Sequence, residues 1–299
     1  MQQENSGASF ITLPDQRVLA FHLSHPPTPS GETPTRDVTR PVVLLSNSLC
    51  APYASWDRVV AQLHSSGYSV LRYDQPGHGK SSPPPDARST TFPTLADDAI
   101  CLLEYLRIEK LAAWVGVSMG GATGMYVAVA RPGLVRKLIV CDCPTSYKDT
   151  APLASRAEAA YDVGNMDEAV EKTMGRWFLA EWRGWNPEES ELVRAIMKTT
   201  TVDGFRTCIH ALTHESFDVS RIAPHLGRCV ETASMIVGER DANLPQTMAE
   251  LRDVVERGFA DAGRKDAKVG FEVVPGAGHV CYIDNLSAFM KAVLGFLRS

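Results

Sequence analysis

The segment Ala112–Ala130, AAWVGVSMGGATGMYVAVA, narrows what this chain can fold into more than any other. An apolar run ends at Val117 and a run of small residues that reads as helix begins at Met119, leaving one serine between them. A strand that becomes a helix within one residue holds that residue in a strained backbone conformation. The residues two before and two after must then be glycine-small, because strand and helix approach too closely for a larger side chain. Gly116-Val117-Ser118-Met119-Gly120 meets this demand. The spacing predicts a strand over 112–117, a sharp turn at Ser118 and a helix over 119–130. Such a turn lifts the serine Oγ above a sheet edge, beside a helix N-terminus, where developing negative charge is favoured.

The rest of the chain supplies the sheet. ASFITLP and RVLAFHLS read as a hairpin, and PVVLLS (41–46) as a buried strand. A helix is expected from Trp56 to Leu63, a strand from Tyr68 to Tyr73, a helix from Leu95 to Leu106 and a strand from Val135 to Cys141. Strands alternating with helices predict βαβ units and a largely parallel sheet. The alternation stops after Cys143 and resumes with ASMIVG (233–238), a helix from Gln246 to about Ala260, KVGFEVV (268–274) and a last helix from Leu286 to Leu297. Between them, LASRAEAAYDV, MDEAVEKTMGRWFLAEW, ESELVRAIMKTT and DGFRTCIHAL carry helical patterns only. The expected organisation is an α/β core, residues 1–145 and 225–299, with a helical lid inserted at 146–224. The lid is rich in aromatics (Trp177, Phe178, Trp182, Trp185), rings suited to a small lid core or to a pocket lining. The Pro- and Thr-rich stretch 25–41 reads as an exposed loop.

Composition excludes several classes of function. The net charge of −5 and the lack of any Lys/Arg-rich run give no footprint for nucleic acid. No run of about 18 apolar residues offers a membrane span. The first twenty residues lack the basic start and apolar stretch of a secretory signal. Seven cysteines, several within apolar runs, read as buried reduced thiols of a cytoplasmic protein rather than as a disulfide framework. Cys141 and Cys143 lack C-x-x-C spacing and a second cluster, and His210 and His214 lack the glutamate of H-E-x-x-H, so neither pair reads as a metal site.

A serine hydroxyl is a weak nucleophile at neutral pH and needs a base, and the base needs an orienting acid. Two loops offer them. His279 lies in VVPGAGHVCY and Asp241 in MIVGERDANLP, each directly after an apolar strand, where a parallel sheet delivers functional groups at its carboxyl edge. Ser118, Asp241 and His279 also stand in the chain order Ser…Asp…His. Glu239 is the competing acid, and Asp142 a more distant one.

With these motifs the chain resembles the α/β-hydrolase superfamily over nearly its whole length. Within it, the chain is most similar to the 3-oxoadipate enol-lactonases and their relatives. LLSNSLCAPYASWD (44–57), LRYDQPGHGKSS (71–82), Arg176-Trp177-Phe178 and VDGFRTCIHAL (202–212) carry the narrower resemblance. The longer 25–41 segment, the ERGFADAGRKDAK stretch between Asp241 and His279, and CDCPTSY (141–147) depart from that family's pattern.

The resemblance implies a mainly parallel eight-stranded sheet with helices on both faces and a helical lid. It also implies an oxyanion hole formed by the backbone N–H groups of Leu49 and Met119. The activity it implies is serine hydrolysis of a small-molecule carboxylic ester, above all a lactone, needing neither cofactor nor metal. Arg176 or Arg156 would pair with a substrate carboxylate, and Trp177, Phe178, Trp182 and Trp185 would line the pocket. Asp74, Gly77, Gly79, Ser81 and His78 belong to a loop read as structural. Two alternatives use the same residues: a C–C hydrolase of β-diketones or vinylogous acids, and a non-catalytic ligand receptor on a hydrolase fold.

Overall fold

A computed structural model describes residues 8–27 and 40–299. Most of the 25–41 stretch therefore lies outside the described residues. The described strands are β1 (Ser9–Thr12), β2 (Val18–Ser24), β3 (Val42–Ser46), β4 (Ser69–Tyr73), β5 (Leu111–Val117), β6 (Val135–Cys141), β7 (Thr232–Gly238) and β8 (Gly270–Val274). They form one sheet in the order β1-β2-β4-β3-β5-β6-β7-β8. β1 and β2 pair antiparallel, as does β2 with β4, and every other pairing is parallel.

The helices between strands are α1 (Asp57–Ser65), α2 (Phe92–Tyr105), α3 (Met119–Ala130) and α10 (Leu244–Asp261); after β8 come the short α11 (Cys281–Asp284) and α12 (Leu286–Arg298). The strand order explains how they divide between the faces. From β3 to β4 the chain steps one way along the sheet, and from β4 to β5 it reverses and continues the other way. Right-handed crossovers then put α1 on one face and α2, α3 and α10 on the other. α12 packs with α1, and α2 with α3. β3 and β4 are buried nearly throughout, and β5 to β7 largely so, which is why they read as continuous apolar runs instead of alternating ones.

The elements match the sequence reading with shifted ends. α2 starts at Phe92, three residues before the first periodic leucine, because Thr91 and Thr94 form a reciprocal capping box and Pro93 sits in the first turn. Between β6 and β7 the chain forms α4 (Ala151–Val163), α5 (Asp167–Trp177), α6 (Ala180–Trp185), α7 (Pro187–Met197), α8 (Val202–Thr213) and the short α9 (Val219–Ile222). α8 sits on the loop after β4. There Thr201 N–H donates to the Gly77 carbonyl (2.8 Å), and a Cβ on either Gly77 or Gly204 would collide with the other's backbone. No helix among the described residues is long and apolar enough to cross a membrane.

Candidate active site

The carboxyl ends of β3, β5, β6, β7 and β8 lie along one edge of the sheet, and the residues singled out above follow them. Ser118 comes directly after β5, with φ 55° and ψ −115°. Positive φ is strained for a serine, and the elbow that holds it depends on glycine. A Cβ at Gly116 would collide with the Gly120 carbonyl, and one at Gly120 with the Ser46 carbonyl of β3. The Ser118 N–H donates to the Cys141 carbonyl (2.8 Å), fixing the turn against β6.

His279 and Asp241 come from the loops after β8 and β7. His279 Nδ1 lies 2.7 Å from Asp241 Oδ2, and both side chains are buried. Glu239, the competing acid, instead accepts from Gly276 N–H (2.7 Å) at the surface. With Nδ1–H directed at a carboxylate, Nε2 carries the lone pair. Burial pushes the imidazole below the usual histidine range; Asp241 opposes that shift and the Arg176 guanidinium adds to it.

Leu49 and Met119 follow β3 and Ser118, and both are buried. Neither N–H donates to another group among the described residues. The loop carrying Leu49 is braced from several sides. Asn47 donates to the Tyr73 carbonyl (2.8 Å) and accepts from Trp56 Nε1 (2.7 Å), and Cys50 N–H donates to His78 Nε2 (2.9 Å). Burial lowers His78 to about 4, so it is a neutral acceptor at working pH. Asp74 accepts from Tyr53 N–H (2.7 Å) and Lys80 N–H (3.0 Å), and burial raises its carboxyl to about 6. The 74–81 loop thus directs its polar groups inward, as a structural element.

The helices between β6 and β7 reach this edge through α5. The Trp177 carbonyl accepts from His279 N–H (3.0 Å), and the Trp177 ring lies 6.2 Å from the imidazole. Phe178 stacks on Trp182 at 4.4 Å, and Trp182 Nε1 donates to the Asp284 carbonyl (3.3 Å). Trp185 departs from the expected lining: it ends the six-residue α6 and is 81% exposed. His210, also in this segment, directs Nδ1 at the Thr90 carbonyl (3.1 Å).

Arg176 lies beside the imidazole, and Arg156 lies near Arg176. Arg176 Nη2 is 3.4 Å from His279 Nε2 and sits against the Tyr147 hydroxyl. Arg156 Nη2 donates to Thr173 Oγ1 (2.8 Å) over the Phe205 ring, and its acidity is strengthened by burial and then by Arg176. The contacts of the two arginines are with His279, Tyr147, Thr173 and the Phe205 ring, and no ion pair to a carboxylate is formed by either among the described residues. Tyr147 and Thr173 were not singled out from the sequence. Tyr147 had a usable signal, standing six residues past the end of β6 on the sheet edge that carries Ser118.

A family described as "alpha/beta hydrolase fold" matches residues 41–180. The chain is 28% identical over 202 residues to 3-oxoadipate enol-lactonase 2 of Acinetobacter baylyi, covering 68% of this chain and 72% of that protein. It is 28% identical over 172 residues to 3-oxoadipate enol-lactonase 1 of the same organism, covering 58% and 62%. Among solved structures, the enol-lactonase from Burkholderia xenovorans LB400 superposes with a TM-score of 0.82 at 24% identity, covering 97% of this chain and 100% of that one.

Proposed function

The chain belongs to the α/β-hydrolase superfamily, and on that premise we propose that it is a serine hydrolase of carboxylic esters whose preferred substrate is a lactone bearing a carboxylate. The observation that carries the reading is the 2.7 Å contact between His279 Nδ1 and Asp241 Oδ2, on the sheet edge that also carries a strained serine at the head of α3. The enol-lactonase relatives support the lactone, and the two arginines without carboxylate partners support the acid group.

Ser118 Oγ attacks the ester carbonyl carbon and gives its proton to His279 Nε2. The carbonyl oxygen becomes an oxyanion held by the N–H groups of Leu49 and Met119, donors typically contributing about 3 kcal/mol each. Asp241 keeps the proton on Nδ1 and stabilises the imidazolium. The C–O bond of the ring then breaks, and the leaving oxygen takes the proton from His279. In a lactone that oxygen stays tethered to the acyl group on Ser118. Water, deprotonated by His279, releases the hydroxy acid or its keto tautomer. The helices of residues 146–224 act as a cap, with Arg176 and Arg156 receiving the substrate carboxylate.

The test is product formation, read by mass spectrometry, from a panel of lactones, simple esters and vinylogous diketones, with Ser118→Ala as control. Serine-dependent ring opening of carboxylate-bearing lactones is expected. Carbon–carbon scission of a diketone without ester turnover overturns the ester reading, and tight binding without turnover overturns catalysis itself.

A further inference from the structure

We infer that Asp142, a buried residue the reaction above does not use, is a positioning residue that locks together the strand-end loops carrying the nucleophile, the acid and the base. The inference rests on the triad reading just given.

Asp142 follows Cys141, whose carbonyl holds the Ser118 N–H. Its own N–H donates to the Ile236 carbonyl of β7 (3.0 Å). Its Oδ1 accepts from Gly238 N–H (2.7 Å), three residues before Asp241. Its Oδ2 lies 3.1 Å from Cys281 Sγ, two residues past His279. One side chain therefore touches the loops after β7 and β8 while its backbone borders the nucleophile turn. The loops have no slack between them. A Cβ at Gly238 would collide with the Gly278 carbonyl, and Arg240 N–H donates to the Ala277 carbonyl (2.8 Å).

Asp142 is fully buried and has φ 44°, a conformation aspartate and asparagine tolerate better than most residues. The titratable groups around it are Asp241, Asp284, Cys141, Cys143 and Cys281, and none of these described neighbours is a lysine or arginine. Burial, followed by the Asp241 carboxylate, pushes the Asp142 carboxyl well above the usual range. The rise favours the neutral form; one oxygen accepts from Gly238 N–H, and the other accepts from the Cys281 thiol. An asparagine amide keeps the Gly238 contact through Oδ1 and meets Cys281 Sγ with Nδ2 as the donor, the thiol then accepting in place of donating.

The experiment compares Asp142→Gly, which permits the positive φ but removes the carboxyl, with Asp142→Asn. Turnover of p-nitrophenyl acetate and the rate of fluorophosphonate labelling at Ser118 are measured in parallel, with thermal melts as a check on folding. Asp142→Gly is expected to lower kcat by about 10- to 100-fold, the effect of a small misplacement of reacting groups. KM should stay within about threefold, since no substrate contact is removed. Asp142→Asn is expected to recover most of kcat and to keep the acid limb of the pH profile within about 0.3 unit.

Normal kcat in Asp142→Gly, or equal damage in both variants, overturns the inference. So does a drop of the acid limb by about one unit in Asp142→Asn, since it would reveal a carboxylate charge acting on His279. Should Asp142→Gly fail to fold, Cys281→Ala removes one of the three loop contacts alone; a kcat loss at constant KM is expected there, and an unchanged kcat counts against the inference. Ser118→Ala separates the two readings: persistent turnover in that variant refutes the triad, whereas its loss alongside a normal Asp142→Gly refutes only the positioning.

Discussion

Replacing Arg176 by glutamine tests the substrate class and the electrostatics of the base together. The guanidinium lies 3.4 Å from His279 Nε2, the atom proposed to take the Ser118 proton. Two unit charges about 4 Å apart interact by about 1 kcal/mol in water and about 4 kcal/mol at an effective dielectric of 20. Arg176 is exposed along much of its length, so the lower figure applies. That corresponds to about one pH unit. The sign follows from which form the cation opposes. Arg176 disfavours the imidazolium, so removing it raises the pKa of His279. The base is then neutral only at higher pH, and the acid limb of kcat/KM moves up by about one unit.

The second effect depends on the substrate. A charge-assisted hydrogen bond to a carboxylate contributes about 1.5–3 kcal/mol, and an exposed one stands at the low end, so about a tenfold loss of kcat/KM is expected for a carboxylate-bearing lactone. The methyl ester of the same lactone should lose almost none at a pH above the limb. The assay is a pair of kcat/KM–pH profiles, acid and methyl ester, for the natural sequence and Arg176→Gln. A limb that stays still or moves down refutes the electrostatic argument. Equal losses for acid and ester refute the carboxylate role. Arg176→Lys should keep the limb near its natural position yet recover only part of the affinity, because an ammonium lacks the planar fork.

Three further outcomes follow from the same geometry. Asp241→Asn should lower kcat by about 10³- to 10⁴-fold through the wrong imidazole tautomer while Glu239→Gln stays near normal, and a reversal of that pattern in steady-state kinetics would move the acid to Glu239. Gly120→Ala should destabilise the fold by at least about 2 kcal/mol in urea, because the new methyl meets the Ser46 backbone and not a yielding side chain; an unchanged midpoint would mean the elbow can open. Asp98→Asn should cost about 3 kcal/mol, since it leaves Arg17 without the carboxylate that it grips bidentately at 2.8 and 2.7 Å; a loss below about 1 kcal/mol would mean that water replaces the partner.

What was legible in the sequence was what local sterics dictate. The turn at Ser118 could be read because Gly116 and Gly120 are required by atoms within a few residues or by the adjacent strand. The alternation of apolar runs gave the strands and the mainly parallel sheet. The reversal that places β4 beyond β3 was invisible, because strand order is a long-range property. The start of α2 was missed because capping by Thr91 and Thr94 carries no hydrophobic period. The aromatic residues of the helical segment were identified as a group but could not be sorted. Trp177 and Trp185 look alike in composition, yet one is buried against the imidazole and the other faces solvent. Trp177 ends α5, which reaches the imidazole, whereas Trp185 ends the six-residue α6, which leaves its last ring at the surface.

Asp142 shows why chain order alone ranks candidate acids poorly. Asp241 and Asp142 both follow an apolar strand on the same sheet edge, and each is a carboxyl near the base. What separates their roles is the surroundings of each carboxyl. Asp241 has an imidazole N–H at 2.7 Å. Asp142 accepts from a backbone N–H and a thiol, which favour its charged form, but burial and the Asp241 carboxylate beside it outweigh them and push its carboxyl well above the usual range. A substitution that ionises the Asp142 position should therefore weaken Asp241 as an acid partner without touching it. Relieving the burial of Asp142, by enlarging the space around Cys281, should impair catalysis most at high pH, where that carboxyl would begin to lose its proton.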